Sequence, residues 1–441
     1  MAGTHSGVGK TTVATGLMAA LRRRGLRVAA AKVGPDFIDP GYHALATGRP
    51  GRNLDAWMCG EETIAPLAER AGRDSDVLVI EGVMGLFDGA GEGDGTFAST
   101  AHVARLLDAP VVLVVDASAM STSVAALVHG FTTFDPTIRV AGVILNRVGS
   151  EGHGQLLREA LAPLALPVLG VLRRDDGLVW RDRHLGLVPV VERPAEIATA
   201  LERLATMVEA GCDLGAVVAL ASAAGPLPVA GELPAARPSG RCRVAVAGGA
   251  AFSFMYPDNI ELLEQAGAEI VPFDPAMDPC LPDGVEALVA GGGFPEVFAE
   301  SLAGNHPLLA DVRRRMAAGL VTWAECGGLL WLSRWLDGHP LCGAIDAGGS
   351  MTDRLTLGYR RARFEVDTAL GPKGTEVRGH EFHYSTVEPT GDALTLAGRF
   401  GEGRAGFASA TLLASYLHLH LASDPTLAER FVAAATPTPR R

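Results

Sequence analysis

The chain is poor in cysteine, has no excess of basic residues and contains no long apolar run. Its 441 residues include six cysteines, which form no CxxC pair and have no histidine at zinc-ligand spacing. We therefore expect neither a disulfide framework nor a zinc site. The formal net charge of -12 argues against a general nucleic-acid-binding protein, because such a protein needs a dense basic surface to neutralise phosphates.

Segments that would insert the chain into a membrane or export it are also missing. No apolar stretch reaches the length of a bilayer-spanning helix, and the first residues lead into a glycine-rich loop rather than a signal peptide. We expect a cytoplasmic protein in a reducing compartment. With 48% hydrophobic residues, a chain of this length is expected to form two or three domains with sizeable cores.

Apolar β-branched runs alternate with segments of helical length in both halves of the chain. The runs in the first half include RVAAAKVG, DVLVIEGVMG, PVVLVVDAS and VAGVILNRVG, and those in the second half are RCRVAVAGG, AEIVPF, EALVAGGG and GLVTWAE. Such nearly continuous apolar strands predict parallel sheets that are covered by helices on both faces. The predicted fold class is α/β, with two doubly wound domains.

A segment rich in Ala, Gly and Pro separates the two predicted domains. It includes ASAAGPLPVAGELPAARPSG, a composition that is typical of an irregular linker. We place the first domain at residues 1–211, the linker at 212–241, the second domain at 242–435 and a frayed tail at 436–441.

The sequence GTHSGVGKTT, residues 3–12, predicts a phosphate-binding loop. Backbone amides of a glycine-rich loop that opens a helix can hold phosphates, and the Lys and Thr that follow can reach the terminal phosphates and Mg²⁺. The candidate residues are Gly7, Gly9, Lys10, Thr11 and Thr12. Thr4 replaces the first glycine of the usual pattern, and only Met1 and Ala2 precede the loop, so most of the first strand is expected to be missing. A glycine turn with a chance lysine is the alternative.

Acidic and polar residues after later predicted strands can complete this site. The acids are Asp36, Asp39, Glu81 and Asp88. A buried strand that ends in a carboxylate beside a phosphate loop commonly serves Mg²⁺, so Asp36 and Glu81 are metal-ligand candidates, with turn or helix-cap roles as the alternative. Lys32 is a phosphate-binding candidate or a solvated lysine, and Asn146 is an adenine-binding candidate or a turn-stabilising residue.

A second reactive site is predicted in the sequence LVTWAECGGLL. A strand runs into Cys326, and Gly327 and Gly328 open the helix that follows. Such a sharp turn presents a nucleophile where backbone amides and the helix dipole stabilise a thiolate and an oxyanion. A buried structural cysteine is the alternative, and it is the expectation for the other five cysteines.

The sequence also offers a base and oxyanion donors for this cysteine. SYLHLHLAS supplies His418 and His420, whose side chains share a face if the segment is extended and diverge if it is helical. AGGGFPE places Gly292 and Gly293 after a strand, where they can join Gly327 as oxyanion donors or simply form a tight turn.

Taken in order, these motifs resemble those of the cobyrinic acid a,c-diamide synthase family, the amidotransferases of corrin side chains in cobalamin biosynthesis. The resemblance covers nearly the whole chain. Its motifs are GTHSGVGKTT, KVGPDFIDPGYH, RNLDAWM, EGVMGLFDG, VILNRVGS, RHLGLVP, FSFMYPDN, GGGFPE, AECGGL, MTDRL, GYR, GHEFHYS and SYLHLHLAS. It implies an ATP domain similar to dethiobiotin synthetase, of the P-loop NTPase type, joined to a class I glutamine amidotransferase domain.

The resemblance implies an ATP-dependent ligase that amidates the a and c acetate carboxylates of a corrin macrocycle. Cys326 would attack the glutamine amide with the help of His418, and the ammonia released would pass to the other domain. There ATP would phosphorylate the substrate carboxylate, and ammonia would displace phosphate. We favour metal-free hydrogenobyrinate as the substrate because the Arg- and Ala-rich sequence resembles family members from aerobic bacteria. A homodimer is left open.

The resemblance also implies roles for individual residues. Lys10 and Thr11 would bind ATP and Mg²⁺, Glu81 would be a metal ligand, and Asp39 and Asp88 fall in segments that line the phosphate and corrin carboxylate region. The usual class I triad has a Glu two positions after its His. That position is His420 here, so either a two-member Cys–His system or a carboxylate from elsewhere is expected. For His380, Glu381 and His383, domain packing and substrate contact both remain open.

Three other functions are weighed against this one. They are a cobyrinate a,c-diamide synthase with a cobalt-containing substrate, a cobyric acid synthase that amidates other side chains, and a ParA-like ATPase switch. The GPDFIDP, RNLDAWM and SYLHLH motifs favour the a,c enzyme. A nucleotide switch would leave the cysteine turn and the LHLH segment unexplained.

Overall fold

We describe the protein from a computed structural model, which describes residues 1–91, 95–175, 182–183, 186–187, 190–192, 194–228, 233, 235–399 and 401–437. The chain forms two compact units, Met1–Leu233 and Pro234–Arg441, and the boundary between them falls inside the predicted linker. Residues 438–441 of the predicted tail, and residues 229–232 and 234 of the predicted linker, lie outside the described residues.

The first unit is built on parallel strands in the order β3-β2-β4 and β1-β5-β6-β7. The strands are β1 (Ala2–Gly3), β2 (Val28–Val33), β3 (Arg52–Leu54), β4 (Val77–Glu81), β5 (Val111–Asp116), β6 (Val140–Val148), β7 (Val168–Arg173) and an antiparallel pair, β8 (Asp182–Arg183) and β9 (Gly186–Leu187). The helices are α1 (Lys10–Arg23), α2 (Ile38–Thr47), α3 (Ala56–Cys59), α4 (Glu61–Gly72), α5 (Thr100–Leu106), α6 (Ser123–Thr133), α7 (Glu151–Leu161), α8 (Pro194–Gly211), α9 (Leu214–Ser222) and the 3₁₀ turns Ala162–Leu164 and Val190–Glu192.

Helices cover both faces of this sheet, as the apolar strand sequences predict. Alternate residues of β5 enter two different cores, because successive side chains of a strand point to opposite faces. Val112 and Val114 pack in the core that contains Leu17 of α1. Leu113 packs in the core that contains Val128 of α6. The doubly wound fold predicted for this half of the chain is confirmed.

The first strand is short, and it joins the two groups of strands. Ala2 pairs with Leu113 of β5. On the other side, the main-chain nitrogen of Met1 donates to Ile80 O at 2.8 Å, and Gly82 N donates to Met1 O at 2.8 Å. The loop that follows Gly3 is therefore attached to the centre of the sheet, with β4 on one side and β5 on the other.

An apolar cavity of about 510 Å³ lies beside this short strand. Met1 lines it together with Val77 and Val79 of β4 and Val112 of β5. Lys10, Thr11 and Glu81 are not among its lining residues, so this cavity is separate from the phosphate-loop site.

The predicted linker begins with a helix, which corrects the expectation of an irregular segment. Asp213 caps α9, because its Oδ1 accepts a hydrogen bond from Ala216 N at 2.9 Å. Leu214 and Val217 of α9 are buried in the first unit's core. The alanine-rich composition thus supports a helix here despite Gly215, since Ala is the strongest helix former and the prolines occur only later.

The second unit contains two sheets. The first has the order β11-β10-β12-β13-β21-β20, with β20 antiparallel and the other pairs parallel. The second is largely antiparallel, and β16 and β17 form its centre. The strands are β10 (Cys242–Ala247), β11 (Ala268–Phe273), β12 (Ala287–Ala290), β13 (Val321–Glu325), β14 (Trp335–Leu336), β15 (His339–Pro340), β16 (Gly348–Phe364), β17 (Glu376–Glu388), β18 (Leu394–Gly398), β19 (Gly401–Ala405), β20 (Phe407–Ser409), β21 (Leu412–Ser415) and β22 (His418–Leu419).

Helices flank the parallel part of the second unit. They are α10 (Pro257–Ala266), α11 (Ala299–Gly304), α12 (His306–Ala317), α13 (Gly327–Leu332), α14 (Thr426–Ala435) and the 3₁₀ turn Leu421–Ser423. A core that includes Leu288, Val312 and Trp331 lies against this sheet. Among the described residues of the whole chain, no helix is both long enough and apolar enough to cross a bilayer.

Candidate active sites

The glycine-rich loop has the backbone that its sequence predicts. Gly7 and Gly9 have φ angles of +83° and +90°, which disfavour residues with a side chain, and α1 starts directly after Gly9. Asn146 at the carboxyl end of β6 supports the loop, because its Nδ2 donates to Val8 O at 2.9 Å. A Cβ atom on Gly9 would lie only 2.4 Å from this amide nitrogen. The observed contact of Asn146 therefore agrees with its alternative, turn-stabilising role.

Lys10 is buried at the start of α1, and its ammonium donates to His5 O at 3.3 Å. Burial, together with the positive charge of Lys32, lowers the pKa of Lys10 to about 8, although nearby carboxylates act in the opposite direction. An anion bound beside Lys10 would supply further negative charge. The environment of this lysine thus suits a phosphate ligand.

Four polar side chains meet at the carboxyl ends of β2 and β4. The Thr11 hydroxyl lies 2.6 Å from Glu81 Oε1 and 3.2 Å from Asp39 Oδ2. The ammonium of Lys32 lies 2.9 Å from Glu81 Oε1 and 2.5 Å from Asp39 Oδ2. Of the predicted residues, Thr11, Lys32, Asp39 and Glu81 are therefore in direct contact.

His43 of α2 is part of this cluster and was not a sequence candidate. Its Nε2 lies 2.6 Å from Glu81 Oε2, and both side chains are fully buried. Asp39 and His43 are four residues apart in α2, which puts them on one face of the helix. That spacing, in the sequence DPGYH, is the signal that could have identified His43.

The two buried carboxylates of the cluster have opposite pKa shifts. Burial alone would raise the pKa of Glu81, but Lys32 and the hydrogen bonds from His43 and Thr11 outweigh it and hold the pKa below its ordinary value. Burial and the carboxylate of Asp36 raise the pKa of Asp39 to about 7, despite the charge of Lys32. Glu81 is thus the ionised carboxylate at neutral pH.

Asp36 and Asp88 have local backbone roles. Asp36 Oδ1 accepts hydrogen bonds from Ile38 N at 2.7 Å and Asp39 N at 3.0 Å at the start of α2. Asp88 Oδ2 accepts from Gly85 N at 2.8 Å. These contacts agree with the turn and cap alternatives, and Asp39 rather than Asp36 touches the hydroxyl of Thr11.

The oxygen donors around Thr11 are of the kind that Mg²⁺ prefers. Mg²⁺ is commonly held by one or two carboxylates together with water and substrate phosphates. Within the described residues, no group of three or more His, Cys, Asp or Glu side chains is arranged to hold a metal ion. A cation here would therefore depend on Thr11, on Glu81 and on phosphate oxygens, and the residues present fit such a site.

Cys326 occupies a strained turn between β13 and α13. Its φ and ψ are +49° and -102°, a conformation that is rare for a residue with a side chain. Neighbouring chains fix the turn: Cys326 N donates to Ser415 O at 2.8 Å, and Gly328 N donates to Gly291 O at 2.9 Å. The geometry is that of a nucleophile on a strand-to-helix elbow, as the sequence predicts.

His418 and Glu325 are the titratable partners of this cysteine. His418 hydrogen-bonds the Cys326 side chain and lies with its Nδ1 3.3 Å from Glu325 Oε2. Burial alone would lower the pKa of His418, but Cys326 and Glu325 outweigh it and raise the pKa to about 10. Glu325 was not a sequence candidate, although it directly precedes Cys326 in the sequence.

His420 belongs to a different group of residues. The chain is extended at His418 and Leu419 and turns into a 3₁₀ segment after His420. The ring of His420 packs 4.7 Å from that of Tyr256, and its Nε2 lies 3.9 Å from Asp258 Oδ2. The preference for His418 over His420 as the partner of Cys326 agrees with this placement.

The three glycines expected as oxyanion donors differ in their contacts. Gly292 N already donates to Phe254 O at 3.1 Å, so this amide is occupied. A Cβ atom on Gly327 would lie 3.2 Å from Gly293 N, which shows that these two backbone positions are close together. The geometry supports Gly293 and Gly327 as the pair that could receive an oxyanion.

The GHEFHYS segment of β17 places the buried side chains of His380, Glu381 and His383 near His418. His380 is the register partner of His418 in the pairing of β17 with β22. Burial and the charge of His418 lower the pKa of His380 to about 3. Burial and His418 also lower the pKa of His383 to about 4, while a hydrogen bond to the carbonyl of Ser385 opposes the shift.

Two residues of the GHEFHYS segment, His383 and Glu381, also have a partner within the same unit. The ring of His383 stacks on that of Tyr416, with centroids 3.7 Å apart. Glu381 Oε2 lies 2.7 Å from Arg360 Nε, so its buried charge is compensated.

Known proteins match the whole chain. Residues 1–187 match the CobQ/CobB/MinD/ParA nucleotide binding domain, and residues 243–426 match the CobB/CobQ-like glutamine amidotransferase domain. The hydrogenobyrinate a,c-diamide synthase of Streptomyces coelicolor is 52% identical, over 98% of this chain and 96% of its own. The chain belongs to the a,c-diamide synthase family. The family resemblance and the two-domain α/β fold expected from the sequence are confirmed.

Other members of the a,c-diamide synthase family carry two different names. The hydrogenobyrinate a,c-diamide synthase of Thermobifida fusca is 51% identical, over 98% of this chain and 95% of its own. The cobyrinate a,c-diamide synthase of a Synechococcus species is 41% identical, over 98% of this chain and 97% of its own. The family therefore includes enzymes named for two macrocycles.

We predict that Gly292→Ala will impair the cysteine site alone. The added Cβ would lie 2.5 Å from His418 Cε1, which must displace the imidazole from Cys326. Misplacement by about 1 Å can lower a rate roughly 100-fold, and we expect a loss of that order in glutamate release from glutamine. Gly304→Ala is the matched control, because a Cβ there would meet nothing within 4 Å. Equal rates for the two variants would contradict this prediction.

Proposed function

We propose that the protein is an ATP- and glutamine-dependent ligase that amidates the a and c acetate side chains of hydrogenobyrinate in cobalamin biosynthesis. The observation that carries this proposal is the presence of the Cys326–His418 pair in a chain that matches hydrogenobyrinate a,c-diamide synthases over nearly its full length. The phosphate loop and the Thr11–Glu81 contact support the ATP-dependent half of the reaction.

Ammonia would be made at Cys326. Its sulfur would bond to the side-chain carbonyl carbon of glutamine while Gly293 and Gly327 stabilise the oxyanion. The carbon–nitrogen bond would then break, with His418 giving its proton to the leaving nitrogen. Water would hydrolyse the remaining thioester, which releases glutamate and restores the thiol.

The substrate carboxylate would be activated at the phosphate loop. A carboxylate oxygen would attack the γ-phosphorus of ATP and release ADP, which makes an acyl phosphate with a good leaving group. Ammonia would then attack the acyl carbon and release phosphate, leaving the amide. Gly7, Gly9 and Lys10 would position the phosphates, and Thr11 and Glu81 would hold Mg²⁺, which neutralises phosphate charge when bound.

Asp39 and Lys32 have contacts that suit neighbouring roles in the same half-reaction. Lys32 lies between the carboxylates of Asp39 and Glu81 and could exchange one of these contacts for a phosphate oxygen. Asp39 borders the Thr11 hydroxyl and is placed to face either the cation or the substrate. Asp36, Asp88 and Asn146 support the loops around this centre through their backbone contacts, and Thr12 stays a predicted nucleotide-binding residue.

We also propose a cytoplasmic location, and a homodimer is left open. Cobyric acid synthase is a weaker alternative, because the relatives described above, which match nearly the whole chain, carry a,c-diamide synthase names. A ParA-like switch is weaker still, since residues 243–426 match a glutamine amidotransferase domain.

We predict a preference for the metal-free macrocycle. The expected result is a higher kcat/KM for hydrogenobyrinate than for cobalt-containing cobyrinate, measured as a,c-diamide formed with saturating ATP and glutamine. A clear preference for cobyrinate would replace the substrate but keep the enzyme class. The absence of amidation with both macrocycles would contradict the proposed function.

We predict that Cys326→Ala will remove amide synthesis with glutamine but not synthesis with free ammonia. Glutamine-dependent synthesis should fall by at least about 1,000-fold, because nothing replaces the nucleophile. Synthesis with free ammonia should persist within about twofold, since carboxylate activation does not use the thiol. Cys280→Ala is the control, because this cysteine is exposed. Loss of both activities in Cys326→Ala would indicate a structural cysteine.

We predict that Lys10→Ala will lower synthesis with either nitrogen source by roughly 100-fold or more, because a preorganised charge on the transferring phosphoryl group is lost. Glutamine hydrolysis and ammonia-dependent synthesis should be measured in parallel. Lys373→Ala is the matched control, since Lys373 is an exposed lysine of the other unit. Unchanged synthesis in Lys10→Ala would overturn the phosphate-loop assignment.

A further inference from the structure

We propose that Glu325 is the positioning residue for His418, so that the carboxylate of this Cys–His–Glu system comes from the residue directly before the nucleophile. The proposal rests on the proposed glutaminase function of Cys326. It assigns to Glu325 the orienting role that the sequence leaves vacant two positions after His418, where His420 stands.

The Glu325 carboxylate is held in place by both of its oxygens. Oε1 accepts a hydrogen bond from Leu419 N at 2.9 Å, and Oε2 lies 3.3 Å from His418 Nδ1. The side chains of Glu325 and His418 are 2% and 1% exposed, so water does not compete for these contacts. A carboxylate buried in this way must be paired, and the imidazole is its titratable partner.

The register of the strands fixes this arrangement. Glu325 is the last residue of β13 and pairs with Ser415, the last residue of β21 and three positions before His418. The chain then bends at residues 416–417, and Leu419 N and the His418 ring lie against the two carboxylate oxygens. The contact depends on adjacent parallel strands and not on the spacing of the residues along the sequence.

The hydrogen bond between Glu325 and Nδ1 also determines which ring nitrogen of His418 carries the proton when the ring is neutral. A neutral imidazole carries one proton, and a carboxylate acceptor favours that proton on Nδ1. Nε2 is then the unprotonated nitrogen, and we assign it to Cys326, where it can take the thiol proton and later give it to the leaving ammonia. Glu325 touches neither glutamine nor the reacting atoms in this scheme, so it acts through His418.

Other titratable groups lie near His418, and they differ in charge. On the strand β17, His380 and His383 stay neutral, while the buried Glu381 interacts with His418 and is itself paired with Arg360 of β16. Among the residues that contact the ring directly, Cys326 and Glu325 favour its protonated form. The Glu325 carboxylate is therefore the fixed group that stabilises the imidazolium next to Cys326.

The test compares Glu325→Gln, Glu325→Asp and Glu264→Gln in the full-length protein. Glu264→Gln is the matched control, because Glu264 is an exposed glutamate of the same unit. Glutamate release from glutamine is measured from pH 6 to pH 10.5 with ATP and hydrogenobyrinate, together with ammonia-dependent synthesis. Alkylation of Cys326 by iodoacetamide is followed over the same pH range.

We expect Glu325→Gln to lower kcat for glutamate release by about 10- to 1,000-fold, with little change in KM, because the base is misoriented rather than the substrate site lost. The alkaline limb of the rate profile should move to lower pH by about 1 to 3 units, since an opposite charge next to a histidine raises its pKa by that amount. Glu325→Asp should restore part of both properties, and ammonia-dependent synthesis should stay within twofold of the control.

Two outcomes would decide against a positioning role for Glu325. An unchanged alkaline limb in Glu325→Gln, for both glutamate release and Cys326 alkylation, would overturn it. Loss of ammonia-dependent synthesis in Glu325→Gln, together with full loss in Glu325→Asp, would show a structural role instead. If Cys326→Ala still releases glutamate from glutamine, then the proposed function of Cys326 fails separately from the inference about Glu325.

Discussion

A buried glutamate at the end of a parallel strand organises each of the two sites. Glu81 ends β4 and Glu325 ends β13, and both side chains are almost completely removed from water. A buried carboxylate is costly unless it is paired and hydrogen-bonded, so its neighbours cannot be chosen freely. Around Glu81 the partners are Lys32, His43 and Thr11, and around Glu325 they are His418 and the amide of Leu419. The parallel sheet places these groups together, because the carboxyl ends of its strands meet at one edge.

The two glutamates have partners with different chemical consequences. Glu81 contacts His43, a lysine and a hydroxyl, and the lysine and the hydroxyl can exchange their contacts for a phosphate or a cation without a change of charge at neutral pH. Glu325 contacts the imidazole of His418, which also hydrogen-bonds Cys326 and whose charge changes during a proton transfer. The same strand-end carboxylate therefore suits ion and phosphate binding in the first unit and base catalysis in the second.

The parts of the sites that lie within one short segment could be predicted from the sequence. Gly7, Gly9 and Lys10 are neighbours in the loop, and Cys326 is followed by the glycines that open its helix, so local backbone preferences reveal both motifs. The contacts made across the sheet could not be predicted in this way. Glu325 was not predicted because the family pattern places the carboxylate two positions after His418, at position 420. The hydrogen bond that occupies the amide of Gly292 depends on Phe254, 38 positions earlier in the sequence. Strand register, which decides these contacts, is not specified by any one motif.

The neutral histidines beside His418 give the cysteine site a defined charge. His380 and His383 are buried with pKa values of about 3 and 4, whereas His418 has a pKa of about 10. Of these three imidazoles, only His418 is then protonated at neutral pH, because it alone combines contacts to Cys326 and Glu325. If His380 or His383 were also charged, it would repel the imidazolium of His418 and weaken the contacts of that ring with Cys326 and Glu325. Burial of the GHEFHYS segment thus keeps His380 and His383 neutral, so that of the three rings His418, which contacts Cys326, carries the positive charge.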